Sequence, residues 1–176
     1  MTLRLCLLLL AAIPLASCHG QADAGGSSEQ REKEPGHALE PSGLVTDFAG
    51  LLSKSDIASL TARLELHNES SKHPMVAVTL NSLESEPIDT FTDRLANRWK
   101  MGVEDRGIML IVAPRERQAR IAVADGTLPD LPNDVSKSIL QEEMLPRFRD
   151  GHFYAGLEAG IVAINKHLEG REDQAR

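Results

Sequence analysis

The sequence predicts an α/β domain, a three-layer α/β/α sandwich around a short mixed central sheet. Three observations predict it. Met75 to Leu80 and Gly107 to Ala113 are short apolar runs of the kind found in strands covered on both faces. Apolar residues at helical spacing lie before, between and after these runs. A third run, Gln118 to Ala124, alternates in character and follows the second strand after only Pro114-Arg-Glu-Arg117, so it reads as an antiparallel hairpin partner. Strands and helices that interleave in this way bury their apolar faces as layers, and the hairpin makes the sheet mixed.

Each element has a local reason. Ser53-Lys-Ser-Asp56 forms a capping box, and Ile57, Leu60 and Leu64 follow on one face, giving a helix from about Lys54 to Ser70. Pro74 and Asn81 bound the first apolar strand. Pro87 fits the first turn of a second helix, where no amide donor is needed, and Ile88, Phe91, Leu95 and Trp99 make its apolar stripe before Gly102. Val135, Ile139 and Met144 line a third helix ending before Pro146. Phe153, Leu157, Ile161, Ile164 and Leu168 line a last one, with Gly170 as its stop. Gly156 and Gly160, four apart on that helix, allow close packing on the sheet; the polar residues around them exclude a membrane span.

The first residues bear on compartment. Arg4 supplies a positive start and Leu5 to Ile13 a short apolar stretch, the pattern of a cleaved signal. Leu15-Ala-Ser-Cys18 resembles the lipobox of bacterial lipoproteins, so residues 1–17 read as a signal peptide and Cys18 as the site of lipid attachment. The alternatives are an ordinary secretory signal or a membrane anchor, and the apolar run is shorter than the roughly 20 residues a spanning helix needs. Cleavage would remove Cys6 and leave Cys18 as the single thiol, so no intrachain disulfide, thiol catalysis or cysteine-based zinc site is open to the mature chain.

The chain carries a net charge of −7, and loss of the leader, which holds one arginine, makes it −8. That sign argues against nucleic acid as a partner and against electrostatic attachment to anionic lipid, leaving acyl chains to supply the membrane hold. Residues 18–42 form a tether. From His19 to Pro41 the only apolar members are Ala22, Ala24, Ala38 and Leu39, too few to bury a core. A flexible chain of this length spans about 25 Å on average, so the segment is a solvated spacer or, alternatively, a partner-binding segment. A single domain over residues 43–170 follows, then a disordered tail over 171–176.

Several segments of that domain resemble one family. Leu44-Val-Thr-Asp-Phe-Ala-Gly-Leu-Leu-Ser53 is similar to the opening motif of TPM domains, named after a thylakoid-lumen phosphatase, a photosystem II repair protein and a nematode receptor regulator. Trp99-Lys-Met-Gly102 and Asp105-Arg-Gly-Ile-Met-Leu-Ile-Val112 resemble its Trp-x-x-Gly turn and the Asp-x-Gly entry to its central strand. Pro146-Arg-Phe-Arg-Asp-Gly-His-Phe-Tyr-Ala-Gly-Leu157 is similar to its closing motif. The resemblance implies an α/β/α sandwich, often secreted or membrane-anchored, whose acidic loop residues bind a divalent ion such as calcium. Acid phosphatase activity in some members and maintenance of membrane complexes in others come with it. One departure stands out: the family's Gly-x-Gly-Leu-Glu segment is here Asp125-Gly-Thr-Leu-Pro129, with proline in place of the acid.

Candidate chemistry centres on Asp47, Asp105 and Asp125. A hairpin places the start of one strand beside the end of the next, so Asp105 and Asp125 are expected at one edge of the sheet, with Asp47 able to join them. Three loop carboxylates are the hard oxygen ligands that Ca2+ or Mg2+ prefers, and a bound cation can also hold a phosphate oxygen. The competing reading is that all three simply shape turns, a common use of aspartate. The six histidines, His19, His37, His67, His73, His152 and His167, show no metal-ligand or Ser/His/Asp spacing and read mainly as surface residues; His152 is a local structural residue or a phosphate contact. Arg115, Arg117, Arg120, Arg147 and Arg149 form either a solvated charged face or a patch for an anion or acidic partner. Gly102 to Gly107 lacks the lysine of a phosphate-binding loop.

Two functions fit. One is a lipid-anchored interaction module, facing the periplasm or exterior, that helps maintain complexes of another envelope protein. The other is a divalent-metal-dependent acid phosphatase, with catalytic residues unassigned and an ion-activated water as its one open route. His19 after Cys18 is not the aspartate of inner-membrane retention, which points to outer-membrane sorting where such a membrane exists.

Overall fold

The computed structural model describes residues 39–101 and 105–174. The expected leader, Cys18, most of the expected spacer, residues 102–104 and residues 175–176 lie outside the described residues. Strands β1 (Val45–Asp47), β2 (Met75–Thr79), β3 (Ile108–Ala113) and β4 (Gln118–Val123) form one sheet in sequence order. The first three are parallel, and β4 returns antiparallel to β3. Five α-helices accompany them: α1 (Lys54–Ser70), α2 (Ile88–Arg98), α3 (Asn133–Ile139), α4 (Leu145–Arg149) and α5 (Phe153–Gln174).

The period-two alternation of the strands sorts the core into two layers. Met75, Ala77, Ile108, Leu110 and Val112 face α1, α3 and α5, meeting Leu60, Leu64, Ile139, Leu157, Ile161 and Ile164. Val76, Val78, Met109, Ile111 and Ala113 face α2, through Phe91 and Leu95. Every residue of β2 and β3 is buried, as their unbroken apolar character predicts. The three-layer sandwich with a mixed sheet is therefore the fold. Its crossovers from β1 to β2 and from β2 to β3 step the same way but pass over opposite faces, so they have opposite hands and one departs from the usual right-handed rule.

Several boundaries differ from expectation. Val45 to Asp47, read as loop, is a parallel edge strand too short for a periodic signal. Leu39, expected within the spacer, packs beside the α2 layer, and its carbonyl accepts the Trp99 indole N–H at 2.8 Å. The third helix does not stop before Pro146. A π-helical turn over Leu140–Met144 carries it into α4, with the proline near the start of that helix. Proline lacks an amide donor and its ring presses on the preceding turn, and widening by one residue relieves both. Gly170 does not end the last helix, which continues to Gln174 through much of the expected tail. The capping box at Ser53 forms as read, with Asp56 N donating to Ser53 Oγ at 3.1 Å and Ser53 N to Asp56 Oδ2 at 2.9 Å.

Gly156 and Gly160 have the packing role assigned to them. A Cβ at Gly156 would lie 2.3 Å from Phe148 Cε1, and one at Gly160 would lie 2.6 Å from Met144 Sδ. α5 thus seats the π turn and α4 against bare backbone. We expect Gly156→Ala to displace the Phe148 ring and cost about 1–2 kcal/mol, overpacking outweighing the gain in helix propensity. Gly160→Ala should cost less, because the methionine can shift. Thermal unfolding followed by circular dichroism orders the two variants.

Candidate active site: an acid-lined cleft at one end of the sheet

The register of the strands decides which of the expected acids meet. Asp47 pairs with Thr79, which pairs with Val112 near the end of β3. Asp105 precedes Ile108, and Asp125 follows Val123, which pairs with Ile108. Asp105 and Asp125 therefore share one end of the sheet and Asp47 sits at the other, a separation of about 16 Å along five residues of strand. The expectation that all three converge on one ion is corrected by this topology.

Asp47 is also occupied. Its Oδ1 accepts Leu51 N at 3.1 Å and its Oδ2 accepts Leu52 N at 2.9 Å, while the Thr79 hydroxyl donates to Oδ1. Thr79 Oγ1 in turn accepts Ala49 N at 3.1 Å. This carboxylate shapes the turn that leads into α1, the structural reading of the residue.

At the opposite end, Asp105 and Asp125 line a cleft of about 590 Å³ with Asp93 and Asn97 from α2, Lys100 from the turn after it, Arg120 from β4 and Asn133 from α3. Backbone constraints hold the two acids side by side. Asp105 has φ of 63°, a left-handed conformation, and its carbonyl accepts Gly126 N at 2.9 Å. A Cβ on Gly126 would come within 2.8 Å of that carbonyl oxygen, so glycine allows the two turns to touch. Both aspartates are exposed, and neither carboxylate is hydrogen-bonded within the described residues. Arg120 spans the cleft's side, donating to the Asp89 carbonyl at 2.7 Å and to Asp93 Oδ1 at 3.0 Å, and thereby ties β4 to α2.

Two adjacent carboxylates with an asparagine nearby suit a hard cation only if backbone carbonyls and water complete the shell. Among the described residues no group of three His, Cys, Asp or Glu side chains is placed to hold a metal. The three-acid set does not fit an ion, while the pair can contribute two of its ligands.

Behind the cleft lies a largely buried network, open to solvent at Asp130, that spacing did not reveal. His73 and Thr127, both almost fully buried, join at 3.0 Å between Nδ1 and Oγ1, and His73 Nε2 lies 3.2 Å from Asp130 Oδ2. With the proton on Nε2, Thr127 donates to the ring, the ring donates to Asp130, and Thr127 Oγ1 accepts Gly107 N at 3.0 Å. A hydroxyl, an imidazole and a carboxylate in series have the form of a nucleophilic triad, but Thr127 is closed to solvent and its oxygen is taken by the Gly107 amide. The network clamps the turn that bears Asp125 to the entry of β3. His67 adds to it by bonding the His73 carbonyl at 2.8 Å. These two histidines are core residues, correcting the surface reading. No spacing could signal this, because His73 and Thr127 are 54 residues apart. His152 is exposed in the turn before α5, where its carbonyl accepts Gly156 N at 3.0 Å, in keeping with a local role.

An α/β/α sandwich with parallel strands, one antiparallel return and an acid-lined cleft at the hairpin's open end defines the class. The chain belongs to the TPM domain family, whose model matches residues 45–167. It is similar to the solution structure of the N-terminal domain of a P. gingivalis protein, with 32% identity, a TM-score of 0.68 and coverage of 74% of this chain and 84% of that one. It shares the fold of the N-terminal domain of the cg2496 protein from Corynebacterium glutamicum, at 19% identity and TM-score 0.59 over 73% and 84% of the two chains. The BA42 protein of Bizionia argentinensis is similar at 15% identity and TM-score 0.60, over 68% and 82%. No curated protein matches the chain.

Burial holds the His73 imidazole below its ordinary value, with Arg106 acting the same way and Asp130 opposing. The folded chain therefore binds this proton less readily than the unfolded chain, in which histidine titrates near about 6.5. The stability this ring contributes is complete above that pH and is lost as pH falls through it toward the lower folded value. Melting temperature should accordingly drop between about pH 7.5 and pH 5, and His73→Gln should flatten that part of the profile. An unaltered profile in the variant would remove His73 as the source.

Proposed function

We propose that this chain is a lipid-anchored TPM domain of the cell envelope, acting as an accessory module that helps maintain complexes of other envelope proteins. The observation that carries the reading is the order of segments: a lipobox-like Leu15-Ala-Ser-Cys18, a polar spacer, and a folded unit from Leu39 that belongs to the TPM family. Diacyl attachment at Cys18 suits stable anchoring, because a single chain binds a bilayer only marginally. The net charge of −7 leaves that task to the lipid. No described helix is long and apolar enough to cross a membrane.

Labelled palmitate supplied to the producing cells should be incorporated into the wild-type chain and not into Cys18→Ser, and the variant should leave the membrane fraction. Equal membrane retention of both chains would overturn the anchor.

A second reading, a divalent-metal-dependent phosphomonoester hydrolase, has one observation in its favour: Asp105 and Asp125 share a cleft with Lys100, so a cation and a basic group could meet one phosphate. Here Ca2+ or Mg2+ would be held by the two aspartates and would polarise the phosphoryl oxygen. On this reading either ion raises the melting temperature by several degrees at saturating concentration, and Asp105→Asn abolishes both that rise and any metal-dependent hydrolysis of a generic phosphomonoester. Asp47→Asn should lower the melting temperature while leaving the response to metal intact. Hydrolysis that persists in Asp105→Asn sinks the phosphatase, and a melting curve indifferent to both ions removes the cation as well.

A further inference from the structure

A second groove lies at the opposite end of the sheet from the acid cleft, between the β3–β4 turn and the corner joining α4 to α5. It encloses about 600 Å³. Leu145, Ala119, Phe148 and Phe153 give it apolar walls, and the two phenylalanine rings stack with centroids 5.7 Å apart at 26°. Arg117 and Arg149 also line it, and both are exposed. Arg63, Arg94, Arg120, Arg147 and Arg171 each face a carboxylate. Arg117 and Arg149 have no such partner among the described residues. Arg117 is moreover held at φ of 55°, a turn position where glycine is less strained. Two uncompensated guanidinium groups beside an aromatic floor, on a chain of net charge −7, form a local reversal of sign.

We propose that this groove binds an acidic peptide segment of a partner protein, with an apolar side chain seated against Phe148 and Phe153 and flanking carboxylates engaged by Arg117 and Arg149. Guanidinium groups pair with carboxylates in a bidentate fork, and a buried apolar anchor ringed by polar contacts is the usual energetic centre of a protein interface. Charge and shape together favour a peptide over a bilayer: the surface is concave, whereas insertion requires protruding apolar groups, and an anionic membrane repels the chain as a whole. The proposal rests on the reading of the domain as an interaction module and names the chemistry of what it holds.

The test presents a random nonapeptide library to the immobilised full chain. Retained sequences should be enriched in Asp or Glu beside Phe or Leu. A synthesised representative should lose at least tenfold in affinity, measured by fluorescence anisotropy, in Arg117→Gly and in Arg149→Gln. Arg117→Gly relieves the left-handed backbone, so its melting temperature should be equal or higher, and lost binding cannot be laid to unfolding. Retained peptides without acidic enrichment, no retention, or equal retention by the variants overturns the proposal. So does arginine-dependent binding of the Cys18→Ser chain to phosphatidylglycerol vesicles in the absence of peptide enrichment. Cross-linking in native membranes separates the two levels. Complexes that persist in both arginine variants leave the module reading intact and remove the groove, and the lack of complexes in the wild type removes both.

Discussion

The burial of β3 on both faces is the constraint from which the rest of the molecule follows. Its six residues are all at most 2% exposed, and they alternate between the α1/α5 layer and the α2 layer, so neither layer can form without it. β2 and β4 both register on it, one parallel and one antiparallel. Its two ends therefore fix where the loops go. The Asp105 turn and the Asp125 turn meet at its start, and the hairpin with its arginines stands at its finish. A polar substitution within Ile108–Ala113 would leave an unpaired group in a closed layer, whichever way the side chain pointed.

The sequence made the sandwich legible because its signals are local and redundant. Continuous apolar runs marked β2 and β3, period-two alternation marked β4, and a capping box marked the start of α1. What stayed hidden depends on long-range pairing. β1 has three residues and is a strand only because Val45 to Asp47 lie against Ala77 to Thr79. Pro146 carried a correct local warning that the π turn absorbs, since Met144 and Phe148 gain their places against Gly160 and Gly156 by keeping the helix continuous. At Gly170 the cost of a helical glycine is about 1 kcal/mol, too little to stop a helix that runs on for four more residues.

The site was half legible for the same reason. Hairpin geometry alone places Asp105 beside Asp125, because the pairing is between neighbours in sequence. Where Asp47 falls depends on the direction of β1, and a parallel edge strand carries it to the far end. The series from buried Thr127 and His73 to half-exposed Asp130 was invisible: a histidine ahead of β2, a threonine in a turn and an acid three residues later have no shared motif. Its physical role is nonetheless clear. The Thr127 hydroxyl lets one oxygen satisfy both the Gly107 amide and the His73 ring, so the two turns that display the cleft acids share a single polar anchor.

The Trp99 indole bond to the Leu39 carbonyl has a mechanical meaning. It pins Leu39 to the foot of α2, and Lys100 and Met101, which line the acid cleft, come directly after that helix. A pull applied to the chain at Leu39 would thus be felt first at the cleft, while the arginine groove stands a full strand length away, on the unloaded end of the lever.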